Sequence, residues 1–146
     1  MANSPISRIY RHRVDVNRSD IDMMGHVNNV AYVKWMQEAA EAHSTANGWS
    51  WNRYHELGAA WVAREHQIRY HSPGFADDRI EVETWVADLK RVSSRRSYRI
   101  LRLQDQLLLA TASTMWAFVD LAKQQPCRVP AEVFSCFEVH DPSENV

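Results

Sequence analysis

The chain has 146 residues, 45% hydrophobic, 24% charged and 10% aromatic, the length and composition of about one globular domain. Seventeen basic against eighteen acidic side chains leave a net charge of −1, which argues against a nucleic-acid partner. No apolar run exceeds five residues, far short of the roughly 20 that span a bilayer, and Met1–Val14 lacks the apolar centre of a signal peptide, so the expectation is a cytoplasmic protein with no membrane span.

In chain order, Tyr10–Val16 alternates loosely and ends in the polar turn Asn17–Asp20, which predicts a first strand. Asn28 to about Ala46 holds no Gly or Pro. Its apolar residues recur at three- and four-residue steps (Val30, Val33, Met36, Ala40 and Tyr32, Met36, Ala39), which predicts one long helix stopped by Gly48. Ser50–Leu57 reads as a short amphipathic turn. From Ala59 the period changes to two. Ala59–Tyr70, Arg79–Leu89, Arg95–Leu103 and Leu107–Asp120 predict four strands, the first closed by Ser72-Pro73-Gly74 and the last two joined at Gln104-Asp105-Gln106. Leu107–Asp120 is apolar on both faces and reads as a central strand, and Pro126, Pro130 and Pro142 predict an irregular tail. This is an α+β pattern in which one helix leaves a sheet face uncovered. Exposed aromatics on the strands (Trp61, Trp85, Trp116) then favour self-association.

Familiar motifs are mostly absent. Cys127 and Cys136 read as free thiols. The four glycines allow neither a dinucleotide fingerprint nor a P-loop, and neither G-x-S-x-G nor H-E-x-x-H occurs. Nothing in the chain calls for a cofactor or a metal.

The chemistry concentrates in Asp20-Ile21-Asp22-Met23-Met24-Gly25-His26-Val27-Asn28-Asn29, which runs directly into the helix. Such residues also make ordinary turns and caps, and Asn28 is a good N-cap. Yet a helix N-terminus presents free N–H groups and the positive end of the dipole, Asp22 supplies a carboxylate just before them, and His26 adds a donor that titrates near neutrality. A base or nucleophile beside an oxyanion hole is the layout of acyl transfer. A second segment, Lys90–Arg102, holds six basic residues (Lys90, Arg91, Arg95, Arg96, Arg99, Arg102) and no acid. It is either a solvated strand face or a site for an anion such as the phosphates of coenzyme A.

The stretch D-I-D-M-M-G-H-V-N-N-V-A-Y-V-K-W-M-Q-E-A resembles the signature of hotdog-fold acyl-CoA thioesterases of the 4-hydroxybenzoyl-CoA thioesterase-like family. Ile68–Pro73, Asp78–Thr84, Trp116–Asp120 and Arg128–Pro130 follow the same family in order, so the resemblance covers about Tyr10 to Val133. It implies one hotdog domain over residues 1–146 (core about 10–133), a long helix wrapped by an antiparallel sheet of about five strands, and an acyl-CoA substrate. It also implies a homodimer or homotetramer that pairs edge to edge, each active site drawing on both chains. Residue by residue, it places the catalytic carboxylate on Asp22, with Asp20 a turn residue, and the carbonyl-polarising amide on Asn29. His26 falls where long-chain acyl-CoA and plant acyl-carrier-protein thioesterases with H-V-N-N carry a histidine. The plant enzymes also have an asparagine where this chain has Met24, so His26 stands between a catalytic and a structural role. The expected substrate-binding residues are Asn28, Tyr32, Arg91, Ser93 and Arg95, with Tyr32, Trp35, Met36, Trp61 and Val62 as candidate walls of an acyl pocket. The alternatives are a thioesterase acting on acyl carrier protein and a non-catalytic acyl-CoA-binding module of the same fold.

Overall fold

In a computed structural model, residues 8–140 are described. Strand β1 (Tyr10–Asp15) leads through a 3-10 turn (Arg18–Asp20) and the loop that follows to helix α1 (Asn29–Ala46). A short helix α2 (Trp51–Leu57) precedes strands β2 (Ala59–Tyr70), β3 (Arg79–Leu89), β4 (Ser93–Arg102) and β5 (Leu107–Asp120). The strands form one antiparallel sheet in the order β1-β3-β4-β5-β2, with the two-residue β6 (Gln125–Pro126) also pairing with β5. It is the hotdog architecture: a long helix held against a curled sheet.

Period-two burial explains most of the packing. Ile80 and Val82 of β3 and Tyr98 and Ile100 of β4 turn inward against Ala31, Tyr32, Trp35, Met36 and Ala39 of α1, and the consecutive Leu109 and Ala110 join them at a register shift of β5. Val30, by contrast, is 77% exposed, so the apolar period of the helix sequence begins one residue before the buried face does at Ala31. Asn28 caps α1 by accepting from the Ala31 amide at 2.8 Å, and Gly48 follows the helix at φ +94°. A second apolar cluster joins α2, the start of β2, the end of β5 and helix α3 (Ala131–Phe134).

The chain after β5 is therefore more regular than its prolines imply. Beyond α3, Val139 bridges Val86 of β3 and the His140 ring meets Trp85 edge-on at 6.0 Å. This covering leaves Trp85 only 8% exposed, so it is not one of the exposed strand aromatics expected from the sequence. β4 begins two residues earlier than its composition suggests, because the Ser94 hydroxyl donates to the Asp88 carbonyl across the hairpin at 2.8 Å. At the far edge of the sheet, β2 has one side unpaired among the described residues, and every residue from Val62 to Gln67 is exposed. Among the described residues no helix is long and apolar enough to cross a membrane.

Candidate active site

The loop between β1 and α1 is built on Asp20. Its carboxylate, 5% exposed as a residue, accepts from the Asn17 amide at 2.9 Å and lies 3.6 Å from Lys34 Nζ, and its carbonyl accepts from the Asn28 amide at 2.7 Å. Asp20 is thus a framework residue that fixes where the helix starts.

Asp22 is the exposed acid of the same loop. Its Oδ1 accepts from the amides of Met24 (2.9 Å) and His26 (3.1 Å), while its own amide donates to the His26 carbonyl at 2.8 Å. These bonds close a tight turn that needs Gly25 at φ +80°. Oδ2 has no partner among the described residues, so one oxygen orients the carboxylate and the other is left unpartnered. The amides of Asn29 and Val30, in the first turn of α1, also donate to no acceptor among the described residues, as expected at a helix start.

His26 bridges Phe75 through the backbone and sets its ring edge-on to Phe75 at 5.3 Å. The Val27 amide donates to the Gly74 carbonyl at 2.8 Å, which ties the loop to the turn after β2. Gly74 is required for closeness, since a Cβ there would stand 3.0 Å from Val27 Cγ2 and 3.4 Å from Leu109 Cδ1. Exposed Met23, Met24, Phe75 and Tyr70 surround this end of the molecule.

Not every candidate meets here. Asn28 commits its side chain to the helix cap, with Nδ2 reaching the Ser19 carbonyl at 3.4 Å. Tyr32 is 2% exposed in the core, set against Tyr70 and Trp35, and burial pushes its hydroxyl pKa up. Trp35 and Met36 are fully buried, so these three helix residues form core and not an open pocket wall. Arg91, Ser93 and Arg95 lie at the β3–β4 hairpin, at the opposite end of the sheet from Asp22, about 30 Å away along the strands.

The basic run is divided by the pleat. Arg99 pairs with Glu83 at 3.2 Å and Arg102 with Asp105 at 2.8 Å, whereas Lys90, Arg91 and Arg95 are exposed with no carboxylate partner among the described residues. Arg96 points inward and is 6% exposed. Sequence reading passed over Arg96 as a site residue, although its alternation with Tyr98 and Ile100 already places it on the core face.

The Thioesterase-like superfamily matches residues 16–137, and the chain belongs to this family: it is a hotdog-fold thioester hydrolase by class. It is 30% identical over 125 residues to the acyl-CoA thioesterase YbgC of Haemophilus influenzae, covering 85% of this chain and 90% of that protein. It is 25% identical over 130 residues to the acyl-CoA thioester hydrolase YbgC of Escherichia coli (strain CFT073), covering 89% and 96%. Among solved structures, Slr0204 of Synechocystis, a 1,4-dihydroxy-2-naphthoyl-CoA thioesterase, superposes with a TM-score of 0.81 at 19% identity, over 88% of this chain and 94% of that one. SAV2348 of Staphylococcus aureus, solved in complex with CoA, gives 0.83 at 16% identity, over 92% and 85%. At these identities the two structures speak to the fold.

Proposed function

We propose that this protein hydrolyses an acyl-CoA thioester, with Asp22 as nucleophile or general base and the first-turn amides of α1, Asn29 foremost, as the oxyanion hole. The observation that carries this reading is the pairing in one loop of a carboxylate with one free oxygen and a helix start with free N–H groups. The chemistry asks for little more. Coenzyme A leaves as a thiolate whose conjugate acid has a pKa near 8.5, so expulsion needs little acid assistance. The demanding step is the tetrahedral oxyanion, which preorganised amides stabilise by about 3 kcal/mol. As general base, Asp22 Oδ2 takes a proton from water, the hydroxide adds to the carbonyl carbon, and collapse of the adduct breaks the C–S bond. As nucleophile, the same oxygen attacks directly and water then hydrolyses the anhydride. His26, whose ring nitrogens bond nothing among the described residues, adds a donor beside the reacting carbonyl.

Phosphate binding by Arg91, Ser93 and Arg95 follows from assembly. Two copies joined along the bare edge of β2 in antiparallel fashion bring the hairpin end of one chain toward the Asp22 end of the other, because a two-fold axis at the middle of a 12-residue strand exchanges its ends. Tyr70 and Val62, exposed on that strand, are then covered. Free-thiol release across acyl-CoA thioesters of graded length, run beside light scattering at micromolar protein, tests both parts. Turnover by a dimer or larger assembly is expected. A stable monomer overturns the shared site, and binding of all thioesters with release from none overturns the hydrolase in favour of a binding module.

A further inference from the structure

A cavity of about 470 Å³ lies between the second half of α1 and the inner face of the sheet, well away from the Asp22 loop of the same chain. Its walls are mainly apolar, with Trp49, Trp61, Val62, Leu89 and Trp116 prominent, and its size is that of a small-ligand site. One wall carries Arg96.

Arg96 is placed unlike the other arginines of its strand. Its Nη1 donates to His43 Nδ1 at 2.9 Å and to Thr84 Oγ1 at 3.2 Å. Both acceptors are neutral: a ring nitrogen that accepts from a guanidinium carries no proton, and the Thr84 hydroxyl donates to the Ser97 carbonyl at 3.0 Å. Those two bonds use two of the five guanidinium hydrogens, and Nε and Nη2 have no acceptor among the described residues. Glu41, the carboxylate on the cavity wall, is exposed and forms no ion pair with Arg96. A cation held this deep without a counter-anion costs several kcal/mol, and burial accordingly pulls its pKa down. Arg99 and Arg102, three and six residues further along the strand, have carboxylates supplied by the protein itself. Arg96 instead lines the cavity wall with Nε and Nη2 left without a protein acceptor among the described residues.

We propose that this cavity receives an acyl group that ends in a carboxylate, and that Arg96 selects it, so that the substrate class is the coenzyme A thioester of a dicarboxylic acid. The proposal rests on the thioesterase reading and on the edge pairing described above. That pairing sets Trp61 and Val62, at the cavity mouth, beside the Tyr70 end of β2 in a second copy, where the Asp22 loop of that copy holds the thioester. The methylene chain lies against the tryptophans, and the distal carboxylate receives Nε and Nη2 of Arg96 in the parallel, two-bond geometry that a guanidinium offers.

Thiol release is compared within matched pairs: succinyl- against butyryl-CoA, adipyl- against hexanoyl-CoA and suberyl- against octanoyl-CoA. The dicarboxylic member of at least one pair is expected to have a kcat/KM about tenfold higher or more, since a charge-assisted bond in a dry site is at stake. Arg96→Gln should drive that ratio toward one, and Arg96→Lys should keep part of it. Free adipate should quench tryptophan fluorescence of the parent protein where hexanoate does not. Equal or lower kcat/KM for the dicarboxylic member of every pair overturns the proposal, whatever becomes of the variants. Thiol release from no substrate would sink the hydrolase reading, and adipate quenching then decides the cavity by itself: absent, the Arg96 site falls too.

Discussion

Acidification from pH 7 to pH 5 should cost the fold about 2 kcal/mol at a single residue, His43. This side chain is 3% exposed, stacked on Tyr10 at 5.3 Å, and bonded through Nδ1 to Arg96. Burial first, and the Arg96 cation second, lower its pKa from 6.5 to about 3. Because the folded pKa lies below the unfolded one, the unfolded chain takes the proton first as the pH falls. The stability linked to His43 is therefore intact above about pH 6.5 and is lost at about 1.4 kcal/mol per pH unit between there and pH 3. At pH 5, some 1.5 units below the unfolded value, the loss reaches about 2 kcal/mol, or roughly 4–8 °C in Tm for a domain of this size. In His43→Asn, Oδ1 stands where Nδ1 did and still accepts from Arg96, but nothing titrates. Urea denaturation of parent and variant at pH 5, 6 and 7, at one protein concentration because self-association also feeds into stability, should show a steep parent and a flatter variant. Parallel lines for the two proteins would refute the buried, neutral His43.

Gly74→Ala should lower stability by about 1–3 kcal/mol through overpacking against Val27 and Leu109, and should slow turnover by displacing the loop that Gly74 anchors; calorimetry and thiol release check both. Asn28→Ala should cost about 1 kcal/mol by removing the cap of α1, with Asn28→Ser restoring most of it in the same melting assay. Arg91→Ala and Arg95→Ala should raise KM with little change in kcat, and should reduce the salt dependence of KM; an unchanged KM in both would move the phosphate site elsewhere.

The strands and the helix were legible from their sequence patterns: Arg79–Leu89 sends Ile80 and Val82 into the core against α1, and Asn29–Ala46 has neither Gly nor Pro. The Asp22 loop was legible through its residue types, which need no tertiary context to mark a turn feeding a helix. What escaped depended on long-range packing. Val30 matched the helical period but faces solvent, because it sits in the first turn, beyond where the sheet covers the helix, while Met36 and Ala40 of the same stripe are buried. Tyr32, Trp35 and Met36 stood as candidate pocket walls although large side chains at helical spacing more often form core, and the strand side chains packed beneath them make them core. Trp85 looked exposed until Val139 and His140 closed over it, a contact more than fifty residues distant in sequence. In Lys90–Arg102 the total charge was conspicuous, but the pleat sends Arg96 inward and leaves Arg95 and Arg99 outside, so one basic run is split between two environments.

The most direct test of the central claim is the kcat of Asp22→Asn against that of Asp20→Asn on one acyl-CoA that the parent hydrolyses. Asp22→Asn keeps the turn-closing acceptor at Oδ1 but removes the charge, and should lower kcat by about 10² or more while substrate binding and the melting temperature hold. Asp20→Asn, altering a buried residue that accepts from Asn17 and pairs with Lys34, should act on stability and far less on kcat. An unimpaired Asp22→Asn beside an inactive, folded Asp20→Asn would contradict the account.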